Sequence, residues 1–175
     1  MSNAPNSRRQ LTLFVQEPGK SRLDALRSSL DPVQASLISA HVTLCREDEI
    51  EKLDPAAVFS KVESWAQGAL RLAFGVPRAF NGHGVLLPCV HGSDEFHRLR
   101  QWLLEDQGTR EHAAHLTLAH PRNPKAQGNT AIALAGLPSA LEFPFPVVSL
   151  IEQHGSAPWR VLQEANLGGT AHGVA

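Results

Sequence analysis

His41-Val42-Thr43-Leu44 and His115-Leu116-Thr117-Leu118 are two copies of one pattern, and His115 stands 74 positions after His41. Each copy reads as a short strand. Successive side chains on a strand point to opposite faces, so His and Thr share one face while Val42 and Leu44, or Leu116 and Leu118, share the other. The apolar pair enters a core. The polar pair stands about 7 Å apart along its strand, on a face that offers an imidazole and a hydroxyl.

A lone histidine on a half-buried strand is usually a tolerated polar residue at the edge of a core. With average residue usage, one apolar-flanked His-x-Thr among nine histidines arises by chance roughly one time in ten, and two copies, one in each half, less than roughly one in a hundred. The pairing, not either copy, carries the functional reading.

The chain has 175 residues, of which 42% are hydrophobic, enough for one well-buried domain or two small lobes sharing an interface. Sixteen basic residues nearly balance seventeen acidic ones, so no global field draws the protein onto long nucleic acid or a membrane. Any anion it binds is held by a local site. The sequence shows two cysteines, Cys45 and Cys89, without signal-peptide pattern or apolar run near eighteen residues. These features predict a cytoplasmic chain with reduced thiols, and a monomer is expected.

Outward from the motifs, a single domain is expected over residues 8–168, with disordered tails at 1–7 and 169–175. Leu11, Leu13 and Val15 alternate with Thr12, Phe14 and Gln16, a strand stopped by Pro18-Gly19. Leu23, Leu26 and Leu30 predict a helix ended by Asp31-Pro32. After the first motif, Arg46 to Leu53 reads as a polar loop, and Asp54-Pro55 starts a helix with Val58, Val62 and Trp65 or Ala66 inward and Gly68 at its end. Strands over 70–80 and 83–90 are joined through Asn81-Gly82, a strong hairpin signal. Ser93 is expected to cap a helix with Phe96, Leu99 and Leu103 inward, ending near Gly108. The second motif strand is expected over 112–119, a short helix near 130–135, and strands over 141–153 and 159–167, with Pro144 and Pro146 marking a sheet edge. The order strand, helix, His-strand, helix, strand thus occurs twice. The fold class is α+β: a bilobal pseudo-symmetric duplication, each lobe a small antiparallel sheet backed by helices, with the two His-x-Thr strands lining a groove between lobes.

Histidine exchanges protons near neutrality, and two of them suit a two-proton reaction. In phosphodiester cleavage one imidazole takes a proton from the attacking oxygen while the other protonates the leaving oxygen. Threonine hydroxyls can donate to the non-bridging oxygens. Neither a metal nor another cofactor is needed.

On HVTL at 41–44 and HLTL at 115–118, together with LTLFVQEP, FNGHGVLLP and PWRVLQEANL, the chain resembles the two-histidine phosphoesterases, which include cyclic nucleotide phosphodiesterases and 2'-5' RNA ligase-like proteins. The resemblance spans most of 9–167. It implies metal-independent action on 2',3'-cyclic phosphate or 2'-5' linked nucleotide or RNA ends, with catalysis by His41, Thr43, His115 and Thr117. The partner implied is a nucleotide or RNA end bearing a phosphate. Some members only bind nucleotides or RNA ends, so a non-catalytic binding module of the same fold is the alternative. Cleavage is favoured over ligation because no G-x-x-x-x-G-K loop is present in the sequence.

Arg46 and His120 lie five residues after each histidine, and Arg122 follows closely; near a phosphate they are natural anion contacts. Phe14 and Trp159 are candidates to stack on a base, although core packing is the commoner fate of an aromatic. Arg160 is a further basic candidate. Cys45 reads as a small filler bordering the groove. His112 and His115 could imitate a metal pair, but on one strand they would face opposite sides, so no metal site is expected.

Overall fold

The computed structural model describes residues 7–80, 84–105, 109–120 and 141–169. In chain order its elements are β1 (Ser7–Phe14), α1 (Gly19–Leu30), α2 (Pro32–Leu37), β2 (His41–Cys45), α3 (Glu47–Ile50) and α4 (Pro55–Glu63), then β3 (Leu70–Phe74), β4 (Arg78–Phe80), β5 (Gly84–His91) and α5 (Ser93–Leu104), and finally β6 (His115–Ala119), β7 (Leu141–Phe145), β8 (Val147–His154) and β9 (Arg160–Asn166). They form two antiparallel sheets with helices, an α+β fold as expected. One sheet has the order β2-β1-β8-β9. In the other, β5 takes β6 along one edge and β4 followed by β3 along the opposite edge, and β7 pairs with β3.

The duplication is visible in the register. Phe14 pairs with His41 and Thr12 with Thr43, then a bulge brings Leu11 opposite Cys45. Pro88 pairs with His115 and Leu86 with Thr117, and a bulge brings Val85 opposite Ala119. Every residue of the second set lies 74 positions after its counterpart. Bulges aim side chains and locally twist a strand, so an equivalent bulge beside each motif gives both His-x-Thr faces the same aim.

The alternation read from sequence places the core. Leu11, Leu13, Val42 and Leu44 in one sheet, Val15 just after β1, and Val85, Leu87, Leu116 and Leu118 in the other sheet, are buried in one contiguous cluster. β2 packs beside β6, α1 packs on β6, and α5 packs on β2 and β3. Each of these helices therefore touches the opposite lobe's motif strand.

Several expectations are corrected. The lobes are not the two halves of the chain: the strand expected over 141–153 breaks at Pro146, leaving β7 in one sheet and carrying β8 into the other. β8 and β9 then complete the sheet that β1 began, and the β4–β5 pair lies inside the other sheet. Pro144 sits in β7, which among the described residues pairs with β3 alone, an edge position of the kind where proline is tolerated. Ser7 is no tail residue; it pairs with His154. Asp31-Pro32 ends α1 but also starts α2, where the Asp31 carboxylate accepts from the Gln34 N–H and proline occupies the first turn. The polar stretch after Arg46 holds α3, whose Glu49 carboxylate accepts the Arg46 N–H at 2.8 Å. The strand expected over 70–80 is interrupted after Phe74, and the second motif strand begins at His115, not at 112. Asn81-Gly82, Gly108 and the helix expected near 130–135 lie outside the described residues.

Ser93 is not the cap of α5. Gly92 is, with φ +90°, and a Cβ there would come within 2.2 Å of the Arg71 carbonyl oxygen. Gly92→Ala is therefore expected to lower stability by about 1–3 kcal/mol, read as a lower urea midpoint at unchanged m-value. An unchanged midpoint would mean the loop has another conformation.

Candidate active site

His41 opens β2 and His115 opens β6, each half-buried, each followed by a fully buried apolar residue and then a half-buried threonine. The pattern anchors the strand by Val42 and Leu44, or Leu116 and Leu118, and leaves the polar face toward the groove. His41, Thr43, His115 and Thr117 all line one cavity of about 1200 Å³.

Both imidazoles are set the same way. His41 Nδ1 lies 2.8 Å from the Ser39 carbonyl oxygen, and His115 Nδ1 lies 2.8 Å from that of Ala113. A carbonyl only accepts, so each Nδ1 carries hydrogen and each Nε2 is left to exchange a proton. The two carbonyls again lie 74 positions apart. Phe14 does not line the cavity; its ring packs edge-on against the His41 ring, centroids 6.2 Å apart. That contact fixes the imidazole's tilt, a different task from the base stacking suggested by sequence.

Four residues tie the two motif strands together. Arg27 of α1 donates from Nε to the Thr117 carbonyl at 3.1 Å and from Nη1 to the Ile38 carbonyl at 2.6 Å. Arg100 of α5 donates to the Leu44 carbonyl and to both oxygens of Glu49, whose carboxylate it meets at 2.6 Å. His112 Nε2 donates to the Thr43 carbonyl at 3.1 Å. Asp31 accepts from the His120 N–H at 2.9 Å. Each lobe thus sends a buried arginine to the main chain of the other lobe's motif strand.

Burial is the largest influence on His41, and the positive fields of Arg27, His115 and His120 act with it against the hydrogen bond to Ser39; its pKa is pushed down to about 4. His112 is likewise lowered to about 4, chiefly by burial and then by Arg100 and Arg46. The shift on His41 favours its neutral form at pH 7.

Arg46, His120 and Trp159 line the cavity. Arg122 lies outside the described residues. Arg160 is turned away, paired with Glu152 at 2.6 Å. Cys45 is fully buried, and its thiol is pushed up to about 12 by burial, so it is a filler within the core instead of a groove residue. His112 precedes β6, so its ring does not face away from His115 but lies 5.9 Å from it. Among the described residues no group of three or more His, Cys, Asp or Glu could hold a metal ion.

Sequence reasoning missed Arg27 and the structural role of His112. The signal for Arg27 was a charge inside an apolar stripe, since it is buried between Leu23 and Leu30 on the inward face of α1. For His112 there was none, because its partner is a main-chain carbonyl in the other lobe.

The family model for the 2'-5' RNA ligase superfamily matches residues 15–157. No curated protein matches significantly. Among solved structures, TT0787 of Thermus thermophilus is 17% identical with a TM-score of 0.57, the alignment covering 93% of this chain and 99% of that one. E. coli LigT complexed with NADP+ is 14% identical with a TM-score of 0.55, and LigT complexed with phosphate 15% identical with a TM-score of 0.55, each covering 94% of this chain and 99% of LigT. These likenesses agree on the fold.

Proposed function

The chain belongs to the 2'-5' RNA ligase superfamily, and from that premise we propose that it is a metal-independent phosphodiesterase acting on 2',3'-cyclic phosphate or 2'-5' linked nucleotide or RNA ends. The observation that carries this reading is the pair of imidazoles lining one cavity, each with Nδ1 held by a carbonyl two residues back. A single-domain bilobal unit over residues 8–168 is the catalytic body.

In this mechanism His41, neutral at pH 7, takes the proton of the attacking water or hydroxyl through Nε2. His115 gives an Nε2 proton to the leaving ribose oxygen. Thr43 and Thr117 donate their hydroxyls to the non-bridging oxygens of the phosphate, one from each side. Arg46 and His120 stand at the groove's rim to steady the anion, and Arg27 adds a fixed positive field beneath it.

Incubation with 2',3'-cyclic nucleotides and excess chelator is expected to yield nucleoside monophosphate. Turnover that required added zinc would refute the paired-histidine mechanism, and tight binding without product would select the non-catalytic alternative. The pH dependence carries a sign. Activity needs neutral His41, so the acid limb of kcat/KM, which reports free enzyme, is expected well below the ordinary histidine value of about 6.5. A bound phosphate offsets the surrounding positive charge and raises the His41 pKa, so the acid limb of kcat is expected at higher pH than that of kcat/KM. Coincident limbs near 6.5 would remove His41 as the buried base.

A further inference from the structure

The cavity does not end at the histidines. Ser7 to Gln10, the outer half of β1, also line it, and Arg8 lies six positions before Phe14, the residue that pairs with His41. At about 3.3 Å per residue Arg8 therefore lies roughly 20 Å along the strand from His41's level. At the far end Arg8, Gln153 and Trp159 line the same cavity. The volume of about 1200 Å³ exceeds the ~300–1,000 Å³ typical of pockets for one drug-sized ligand.

That far end is a built platform. The Arg8 guanidinium lies over the Trp159 ring, 5.3 Å from its centroid. Gln153, 3% exposed, accepts from Arg8 and donates to the Ala157 carbonyl at 2.8 Å, which locks its amide. The main-chain N–H of Trp159 donates to the Leu37 carbonyl at 2.9 Å, tying the turn that carries the indole to the segment that leads into His41. The pairings differ among neighbours: Arg9 and Arg160 share the Glu152 carboxylate, whereas among the described residues no carboxylate pairs with Arg8. A half-buried indole under an arginine whose charge is not cancelled suits an aromatic ring attached to an anion.

We infer that this arm binds a second nucleotide, its base stacked on the Arg8–Trp159 pair, so that the preferred substrate is an oligonucleotide end and not a free cyclic mononucleotide. The inference rests on the phosphodiesterase reading for the identity of the ligand. Its test separates the two, because it reads binding alone.

Affinities are compared by calorimetry for a 3'-phosphorylated mononucleotide and for two dinucleotides, extended on either side of the phosphate. The dinucleotide whose extension reaches the arm is expected to bind about tenfold or more tightly than the mononucleotide, within the range of one base–aromatic stack. In Trp159→Ala that advantage is expected to fall to within about twofold, and in Trp159→Phe to be largely kept. Arg8→Gln, at the outer end of β1, is expected to reduce it several-fold and to weaken its salt dependence, which provides a second readout should Trp159→Ala fold poorly. Equal affinities for all three ligands, or an advantage unchanged in Trp159→Ala and Arg8→Gln, would overturn the arm. A dinucleotide advantage without turnover of any cyclic phosphate would instead overturn the catalytic reading and leave the arm standing.

Discussion

Alanine in place of either His41 or His115 is expected to lower kcat by about 10²–10⁴-fold, the usual contribution of a positioned general acid or base. The double mutant is expected to be little worse than the worse single one, because proton removal and proton delivery belong to one displacement and act as a unit. Folding should survive both changes. Each ring is half-buried on the polar face of its strand, and the residues that anchor the strands, Val42 and Leu44 or Leu116 and Leu118, are untouched. Steady-state kinetics alongside a thermal melt decide the matter. Near-normal turnover in His115→Ala, or its unfolding, would return the second motif to a purely structural role.

Arg100→Ala is expected to cost about 3–5 kcal/mol of stability, the range for breaking one partner out of a buried charge pair. The side chain is fully buried and donates to Glu49, to the Leu44 carbonyl and to the Arg110 carbonyl. Its removal leaves a carboxylate and two carbonyls short of a donor. Glu49 is then held by the Arg46 N–H and by Arg110 at 3.7 Å. Arg100→Met with Glu49→Gln is expected to recover part of the loss, since the space is refilled and no unpaired charge remains. Urea unfolding of the three proteins measures this, and a loss below about 1 kcal/mol in Arg100→Ala would show that the crossed arginines do not hold the lobes.

The motif faces were legible because a strand's period of two fixes which side chains share a face, whatever the tertiary context. That reading placed His41, Thr43, His115 and Thr117 together before any coordinates. The α4 start at Asp54-Pro55 was legible for a similar reason: the Asp54 carboxylate meets the Ala56 N–H locally. What was hidden depended on distant partners. Pro146 looks the same in sequence whether a strand bends or leaves its sheet, so the return of β8 and β9 to the first sheet could not be read. α2 and α3 are too short, at six and four residues, to show a helical stripe. Arg27 and Arg100 look like solvated charges until the opposite lobe's carbonyls come within reach. Trp159 could be named but not placed, because its neighbour Arg8 lies at the other end of the chain.

The interleaved sheet order sets a timetable for synthesis. β1 leaves the ribosome well before its partner β8, which begins at Val147. At about 5–20 residues per second the wait is roughly 7–30 s. During that interval β1 and β2 can pair with each other, but the far edge of β1 stays open, a row of unpaired backbone groups over an apolar face. The second sheet, from β3 to β7, is complete before the first, so the nascent chain holds a finished His115 half beside an unfinished His41 half. A chain stalled or cut before β8 would expose that open edge to other chains, which makes the C-terminal hairpin the step that protects this protein from aggregation as it is made.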